Sequence, residues 1–417
     1  KDCLILSGAG VGGGSLVYAN TLYEPLPAFY ADPQWAQLAD WRTELAPYFD
    51  QAKRMLGVQT NPLHTAADEV MVKVAEEMGV ADTFRLTPVG VFFGQAGQEQ
   101  SAAEAQAGAV PDPYFGGAGP DRNPCTHCGE CMTGCRHNAK NTLVKNYLHL
   151  AEQAGAKIMP LTTVVGVETR TEGGYGVRVR SSGGRRPFGA GKRSAERVLS
   201  ADQVVFAASA LGTQKLLHRM REAGKLPRLS PRLGELSRTN SESILGAIAP
   251  DTSIDFSHGV AITSSFHPDE HTHIEPVRYG KGSNLMALLQ TVLTDGDGPE
   301  PRWRTWLREM WRQRALFRDI YDLKHWSERA VIALVMQSRD NSITTYLRKL
   351  PGGRTVLTSK QGHGEPNPTW IPVANDAVRR MAAQIGGVPG GSLGEPFNRP
   401  LTAHFIGGCP IGGSTVG

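Results

Sequence analysis

No apolar stretch in this chain approaches the twenty or so residues that a helix needs to cross a bilayer. The strongest run, Val331 to Met336, has the length of a buried strand. Charge of one sign is not in excess either. Forty-four Lys and Arg against 40 Asp and Glu leave a net +4, too small to argue for nucleic acid. No internal repeat is visible, which sets solenoids and propellers aside. No secretory signal opens the chain, but residue 1 is Lys, so localisation stays undetermined, with a cytoplasmic or membrane-peripheral protein preferred to a secreted one. What the chain does have is glycine, 48 residues, and proline, 27, which announce many loops and close backbone approaches. With 40% hydrophobic and 20% charged residues it is ordinary globular material, and its 417 residues allow two domains or one large discontinuous one.

The glycines are densest at the start. In KDCLILSGAGVGGGSLVY, Gly8-x-Gly10-x-x-Gly13 fits the dinucleotide fingerprint behind a short apolar run. The context of a Rossmann finger is missing. Ser15 to Tyr18 is followed by Pro25 and Pro27, which break a long helix, and the region near Asp32 does not read as a second parallel strand. The loop is therefore either a backbone cradle for something flat or anionic or a tight turn between core elements.

Further along, Asp40–Leu56 and Ala66–Met78 carry apolar residues at helical spacing, the first with Pro47 inside it. Gln95 to Gly119 reads as a long loop, and Ala139–Ala154 as a helix. Strand-like runs follow at Lys157–Met159, Thr162–Thr169, Tyr175–Val179 and Gln203–Ala207, with Gly173-Gly174 as a hairpin turn. Gly183 to Lys192 is a basic Gly-rich loop. Gln203–Met220 reads as strand, small-residue turn and amphipathic helix.

PCTHCGECMTGCRHNAK places Cys125, Cys128, Cys131 and Cys135 at C-x2-C-x2-C-x3-C, the ferredoxin spacing. The proline that usually follows the fourth cysteine is Arg136, and no second run exists, since Cys3 and Cys409 stand alone. An iron–sulfur cluster, a structural zinc and a set of reduced thiols all stay open.

Acid–base candidates cluster in FHPDEHTHIEPV, where strand alternation puts His271, His273 and Glu275 on one face. Three ligands on one flat face splay apart, so a general base is preferred to a metal, and Glu275 is the best buried carboxylate. His404 precedes Gly407-Gly408-Cys409, a setting that admits a flat ligand. Residues 301–326 form a basic amphipathic segment, with Trp303, Leu307, Met310, Trp311 and Phe317 towards one face and Arg304, Arg308, Arg312 and Arg318 towards the other. It suits a cap helix or a helix lying on a membrane surface.

Taken together, these residues resemble the glucose–methanol–choline flavin oxidoreductase family, in its bacterial cholesterol oxidase-like branch. The Gly8–Val17 loop resembles the family's second glycine-rich loop, which lies against the flavin. Ala139-Lys-Asn-Thr-Leu-x-x-Asn-Tyr-Leu148 resembles the helix that re-enters the FAD domain, and Ala207–Leu217 resembles its second strand and helix. The resemblance implies FAD contacts at Gly8, Gly10, Gly12, Gly13, Gly14, Ser15, Tyr18, Asn20, Val164 and Gly407. It puts His404 on the active-site histidine that holds the substrate hydroxyl, and Glu275 where sterol oxidases carry the base that moves the ring double bond. Tyr18-Ala19-Asn20 stands where those oxidases commonly have Asn-Gly-Gly, and the cysteine run is outside their pattern.

The fold so implied is α/β: a discontinuous FAD-binding Rossmann-like domain and a substrate domain on a mixed or antiparallel sheet. Its expected parts are a flavin loop (1–20), a cover segment with the cysteines (21–138), part of the FAD domain (139–248), the substrate domain (249–399) and a return to the active site (400–417). The family's G-x-G-x-x-G finger is expected before residue 1 and its Asn-bearing strand after residue 417, so the chain is expected to be the middle of such an enzyme. The implied reaction is oxidation of a hydrophobic secondary alcohol, a 3β-hydroxysterol, with hydride passing to flavin N5, oxygen or another acceptor taking the electrons, and Δ5-to-Δ4 isomerisation following. An iron–sulfur cluster at Cys125–Cys135 is the alternative acceptor, and a binding protein without catalysis is the remaining reading.

Overall fold

The computed structural model describes residues 3–94, 104, 107–182, 195–399 and 401–410. Its centre is a seven-stranded sheet in which every neighbouring pair is antiparallel. From edge to edge the strands are Gln290–Val292, Val388–Ser392, Ser243–Ile248, Ala330–Gln337, Thr272–Val277, Ser264–Asp269 and Arg85–Leu86. The run Val331–Met336 does form a central strand, with Val331, Ala333 and Val335 buried on one face and Ile332, Leu334 and Met336 more openly packed on the other.

Two helices, Ala66–Glu77 and Pro372–Gln384, cover one face. Met71, Val74, Ala374, Val378 and Met381 pack on Leu245, Phe266, Ile274, Val331, Ala333 and Val335. Thr65 and Asp68 close a capping box at the start of the first helix: the Thr65 amide and hydroxyl both donate to Asp68 Oδ2, at 2.6 and 2.7 Å. Ile274 faces this helix layer, so the alternation of the strand turns Glu275 to the opposite face, where it pairs with Leu334. That opposite face carries Ile262, Val277 and Leu334, with Ile244, Ile332 and Met336 partly covered.

A second body is a three-stranded antiparallel sheet, Thr162–Thr169, Tyr175–Ser181 and Arg197–Ala201, against which the helix Ser209–Glu222 packs through Met220. Gly173 and Gly174 turn its first hairpin, both at positive φ. The one parallel strand pair among the described residues joins Leu4–Ile5 to Leu401–Thr402. Mixed α/β architecture is thus present, with the second sheet antiparallel.

Three expected elements differ. Ala139–Ala154 is not one helix: residues 139–142 run extended, Leu143–Lys145 is a short 3-10 turn and the helix is only Tyr147–Gln153. Ala139 O accepts from Phe92 N and Asn141 N donates to Gly90 O, so cross-chain bonds displace the helical ones. Gln203–Ala207 and Lys157–Met159 are not strands, because neither finds a neighbouring strand to pair with among the described residues. His271 sits in a hairpin turn rather than on the strand face. The Gly183–Lys192 loop and most of residues 95–106 lie outside the described residues.

Candidate active site

The parallel pair Leu4–Ile5 and Leu401–Thr402 sets the site. Parallel strands release their following loops at the same end, so the glycine loop after Ile5 and the His404 loop after Thr402 emerge together. The glycine loop folds back on itself: Gly12 and Gly13 take positive φ (105° and 56°), and a 3-10 turn spans Gly13–Leu16. Ser15 locks it, its hydroxyl donating to Gly12 O (2.6 Å) and accepting from Leu143 N (2.9 Å). A side chain at Gly8 or Gly10 would collide with Val17 or Leu16, whereas nothing lies within 4 Å of the space a Cβ would take at Gly13 and Gly14. The loop is therefore packed on one side and bare on the other, which fits a flat, partly anionic ligand such as a flavin nucleotide.

The remaining expected contacts are placed as follows. Asn20 is fully buried in a left-handed conformation, and neither its Oδ1 nor its Nδ2 has a hydrogen-bond partner among the described residues. Tyr18 turns inward, its hydroxyl donating to Asn141 O at 2.6 Å. Val164 stands at a bulge of the three-stranded sheet with its side chain partly exposed. At Gly407 and Gly408 protein fills the side-chain direction: a Cβ would meet Leu236 O and Gln214 Nε2. Positive φ and close packing account for these two glycines without a ligand.

His404 and Glu275, far apart in sequence, are brought close enough to sense each other's charge. Against His404, and within reach of the charge on Glu275, stands a residue that sequence reasoning missed. Glu242, at the entry to the Ser243–Ile248 strand and almost wholly buried, accepts from His404 Nδ1 (3.0 Å), Thr402 Oγ1 (2.8 Å) and Ala403 N (3.1 Å) on one oxygen. This bond raises the imidazole above its ordinary pKa against the opposing pull of burial. It also fixes the ring, holding Nδ1 as the donor and leaving Nε2 for a substrate. A signal for Glu242 existed: it is the lone charge in Thr239-Asn-Ser-Glu-Ser243, directly before the apolar Ile244-Leu245.

Burial pushes the Glu275 carboxyl up to about 8; the nearby Glu242 adds to this and His404 opposes it. Tyr23 and His273 wall it in, their rings 5.1 Å apart, with the Tyr23 hydroxyl on Ser265 Oγ at 2.6 Å. His273 Nε2 stands 3.7 Å from Glu275 Oε1, beyond a hydrogen bond. Burial, with His267 stacked at 4.6 Å, drives this imidazole down to about 3, so it is neutral. The site thus pairs an imidazole ready to take a proton with a carboxyl poised near neutrality, beside an apolar sheet face.

The four cysteines line a separate cavity with His137 and Lys140. Among the described residues no three of their sulfurs lie within 4.8 Å of one another; the group that does is Cys128, Glu130 and His137.

A family model described as GMC oxidoreductase matches residues 117–224. A cholesterol oxidase of Mycobacterium tuberculosis is 56% identical over 99% of this chain and 70% of its own length. A cholesterol oxidase of Acinetobacter baumannii is 40% identical, over 99% of this chain and 73% of its own. The chain belongs to the GMC oxidoreductase family. It falls in the cholesterol oxidase-like branch, and with it comes dependence on FAD and oxidoreductase activity on alcohols. Among solved structures, an FAD-dependent oxidoreductase from Chaetomium thermophilum covers 78% of this chain and 55% of its own, with 12% identity and a TM-score of 0.37.

Proposed function

We propose that this GMC oxidoreductase oxidises a 3β-hydroxysterol, cholesterol being the model substrate, and isomerises the product. The observation that carries the reading is the approach of His404, whose Nε2 has no hydrogen-bond partner among the described residues, to a protonatable Glu275 on a strand beside apolar residues. The cholesterol oxidases at 56% and 40% identity support the sterol class. Bound FAD supplies the hydride acceptor. Gly8, Gly10, Gly12, Gly13, Gly14 and Ser15 would hold it, with Tyr18, Asn20, Val164 and Gly407 as further contacts in the discontinuous Rossmann-like domain.

His404 Nε2 accepts the hydroxyl proton of the alcohol, and Glu242 steadies the imidazolium that results. The wall of Ile244, Ile332, Leu334 and Met336 excludes water and holds the flat ring system. Glu275, once ionised, takes a proton from the ring carbon next to the new carbonyl and returns it further along, which moves the double bond. Oxygen is the acceptor in this reading. A second acceptor, an iron–sulfur cluster on the cysteine loop, is favoured by the convergence of all four cysteines on one cavity.

The substrate suggests a lipid surface as its source. On the helix Arg302–Arg312, Trp303, Leu307 and Trp311 share one stripe and are 42%, 50% and 73% exposed. Trp306 and Met310 face inward instead, bonded to Thr291 and Tyr321. We propose peripheral membrane contact through this stripe.

The test is the visible spectrum of the FAD-loaded protein mixed anaerobically with cholesterol. Bleaching of the flavin bands, with 3-keto product formed, is expected. Bands that persist with cholesterol and bleach with another alcohol would reject the sterol while keeping the family chemistry.

A further inference from the structure

Four of the six cysteines converge in a place that sterol oxidation does not explain. The loop carrying them curls through three left-handed residues, His127, Gly129 and Gly134. It is pinned to the substrate domain by Gly259 N on His127 O (2.7 Å) and Gly129 N on Gly259 O (2.8 Å). Cys125 and Cys131 are buried, Cys128 and Cys135 partly so, and all four line one cavity. We infer that this cavity holds an iron–sulfur cluster ligated by Cys125, Cys128, Cys131 and Cys135, with Lys140 as the cation joining it to the glycine loop. The cluster develops the second-acceptor reading, and its tie to the cofactor rests on that loop being the FAD contact.

Spacing separates the cluster from zinc. A tetrahedral ion with Zn–S near 2.3 Å needs thiolates about 3.8 Å apart. Among the described residues no three cysteine sulfurs come within 4.8 Å of one another, although all four face the same cavity. A cluster several atoms across stands between its ligands and holds their sulfurs roughly 6 Å apart. The tighter group, Cys128, Glu130 and His137, is a weaker rival. Glu130 is already held by both Arg136 Nε (3.1 Å) and Nη2 (2.6 Å), and a mononuclear ion there would leave three cysteines idle.

Two further features are suited to thiolate sulfur. Backbone amides point at it: His127 N donates to Cys125 Sγ at 3.4 Å, and Ala261 hydrogen-bonds Cys131. Such bonds stabilise cluster sulfurs. Lys140 is almost fully buried; its ammonium donates to Tyr18 O (2.6 Å), Cys131 O (2.7 Å) and Leu16 O (3.3 Å) and lies 4.4 Å from the Tyr18 ring centroid, with no carboxylate bonded to it among the described residues. A buried cation calls for a compensating negative charge, and four thiolates around a cluster supply one. The same three bonds tie the cysteine loop directly to the end of the glycine loop.

The experiment is metal and sulfide analysis of the FAD-loaded protein purified without oxygen, with flavin counted separately after acid release. Iron and acid-labile sulfide in equal amounts, about four of each per chain, and a broad absorbance near 400 nm that dithionite bleaches are expected. Cys128→Ser and Cys131→Ser should lose the iron and keep FAD, while Cys409→Ser keeps both. One zinc without sulfide, or protein that takes up neither iron nor sulfide from an anaerobic mixture of ferrous iron and sulfide, would overturn the cluster. A flavin-free protein that still holds iron and sulfide would leave the cluster standing and sink the oxidoreductase reading instead.

Discussion

Glu242 decides what His404 can do. Because the carboxylate holds Nδ1 and raises the imidazole pKa, the limb of activity governed by this group rises as pH climbs and the ring gives up its proton. Glu242→Gln keeps the shape and removes the charge. It should shift that limb of kcat/KM to lower pH and cut kcat by at least tenfold, part of the roughly 10²–10⁴-fold that a positioned base contributes. An unmoved limb would deny the pairing: the histidine would not feel the carboxylate. Glu275 makes the opposite case, a carboxyl whose folded pKa of about 8 exceeds its ordinary value. Isomerisation should strengthen as pH rises through that value, while Glu275→Gln should still oxidise the alcohol but release the unisomerised ketone. Stability runs the opposite way. The unfolded chain loses this proton near pH 4.5 and the folded one only near 8, so folding stability drains away between them. The melting temperature of Glu275→Gln should therefore gain on the wild type from pH 5 to pH 9. Glu275 was legible because an acid inside an apolar strand must be buried. Glu242 was marked only as a lone charge before an apolar strand; its partner Thr402, on a two-residue strand 160 positions away, left no trace in the local sequence.

Among the elements, the glycine loop was legible as a cradle but not in its two-sidedness. Glycine in sequence does not say whether the absent side chain would strike the protein or a ligand. The structure separates the cases, and substitutions should follow. Gly8→Ala puts a methyl 2.8 Å from Val17 Cγ1 and should lower the melting temperature of the FAD-free protein. Gly13→Ala meets no protein atom and costs only the left-handed conformation, roughly 1–2 kcal/mol. Its larger effect should be weaker FAD binding, read by titration of flavin fluorescence; unchanged affinity would move the flavin off this face. Ala139–Ala154 shows the converse limit. Its helical spacing was sound, but Lys140 and Asn141 are claimed by carbonyls from distant segments, and tertiary bonds of that kind leave no trace in periodicity.

At the scale of the whole molecule, the helix layer seals one face of the large sheet and leaves the other for chemistry, so an insoluble alcohol must arrive from one side. The amphipathic helix was legible as such, but not which face it would bury. Buried Arg302 decides that, anchoring the helix through Thr294 O and Thr369 O (both 2.7 Å) and Glu395 (3.5 Å). Leu285, Leu288 and Leu289 are exposed nearby in chain order, and Leu289 O accepts from Leu393 N, itself next to the short turn Glu395–Phe397 on which the helix rests. Changing Trp303, Leu307 and Trp311 together to Ser removes apolar side chains worth about 1.5–3 kcal/mol each when fully buried. Sedimentation with neutral phosphatidylcholine vesicles should fall at least tenfold, while oxidation of detergent-dispersed cholesterol stays near the wild type. Replacing exposed Arg304, Arg308 and Arg312 with Gln should instead weaken binding only to anionic vesicles and only at low salt, since screened charge acts within about 10 Å at 0.1 M. Equal sedimentation of the Ser variant and the wild type would leave the stripe without a membrane, and the sterol would have to reach Glu275 and His404 by another route.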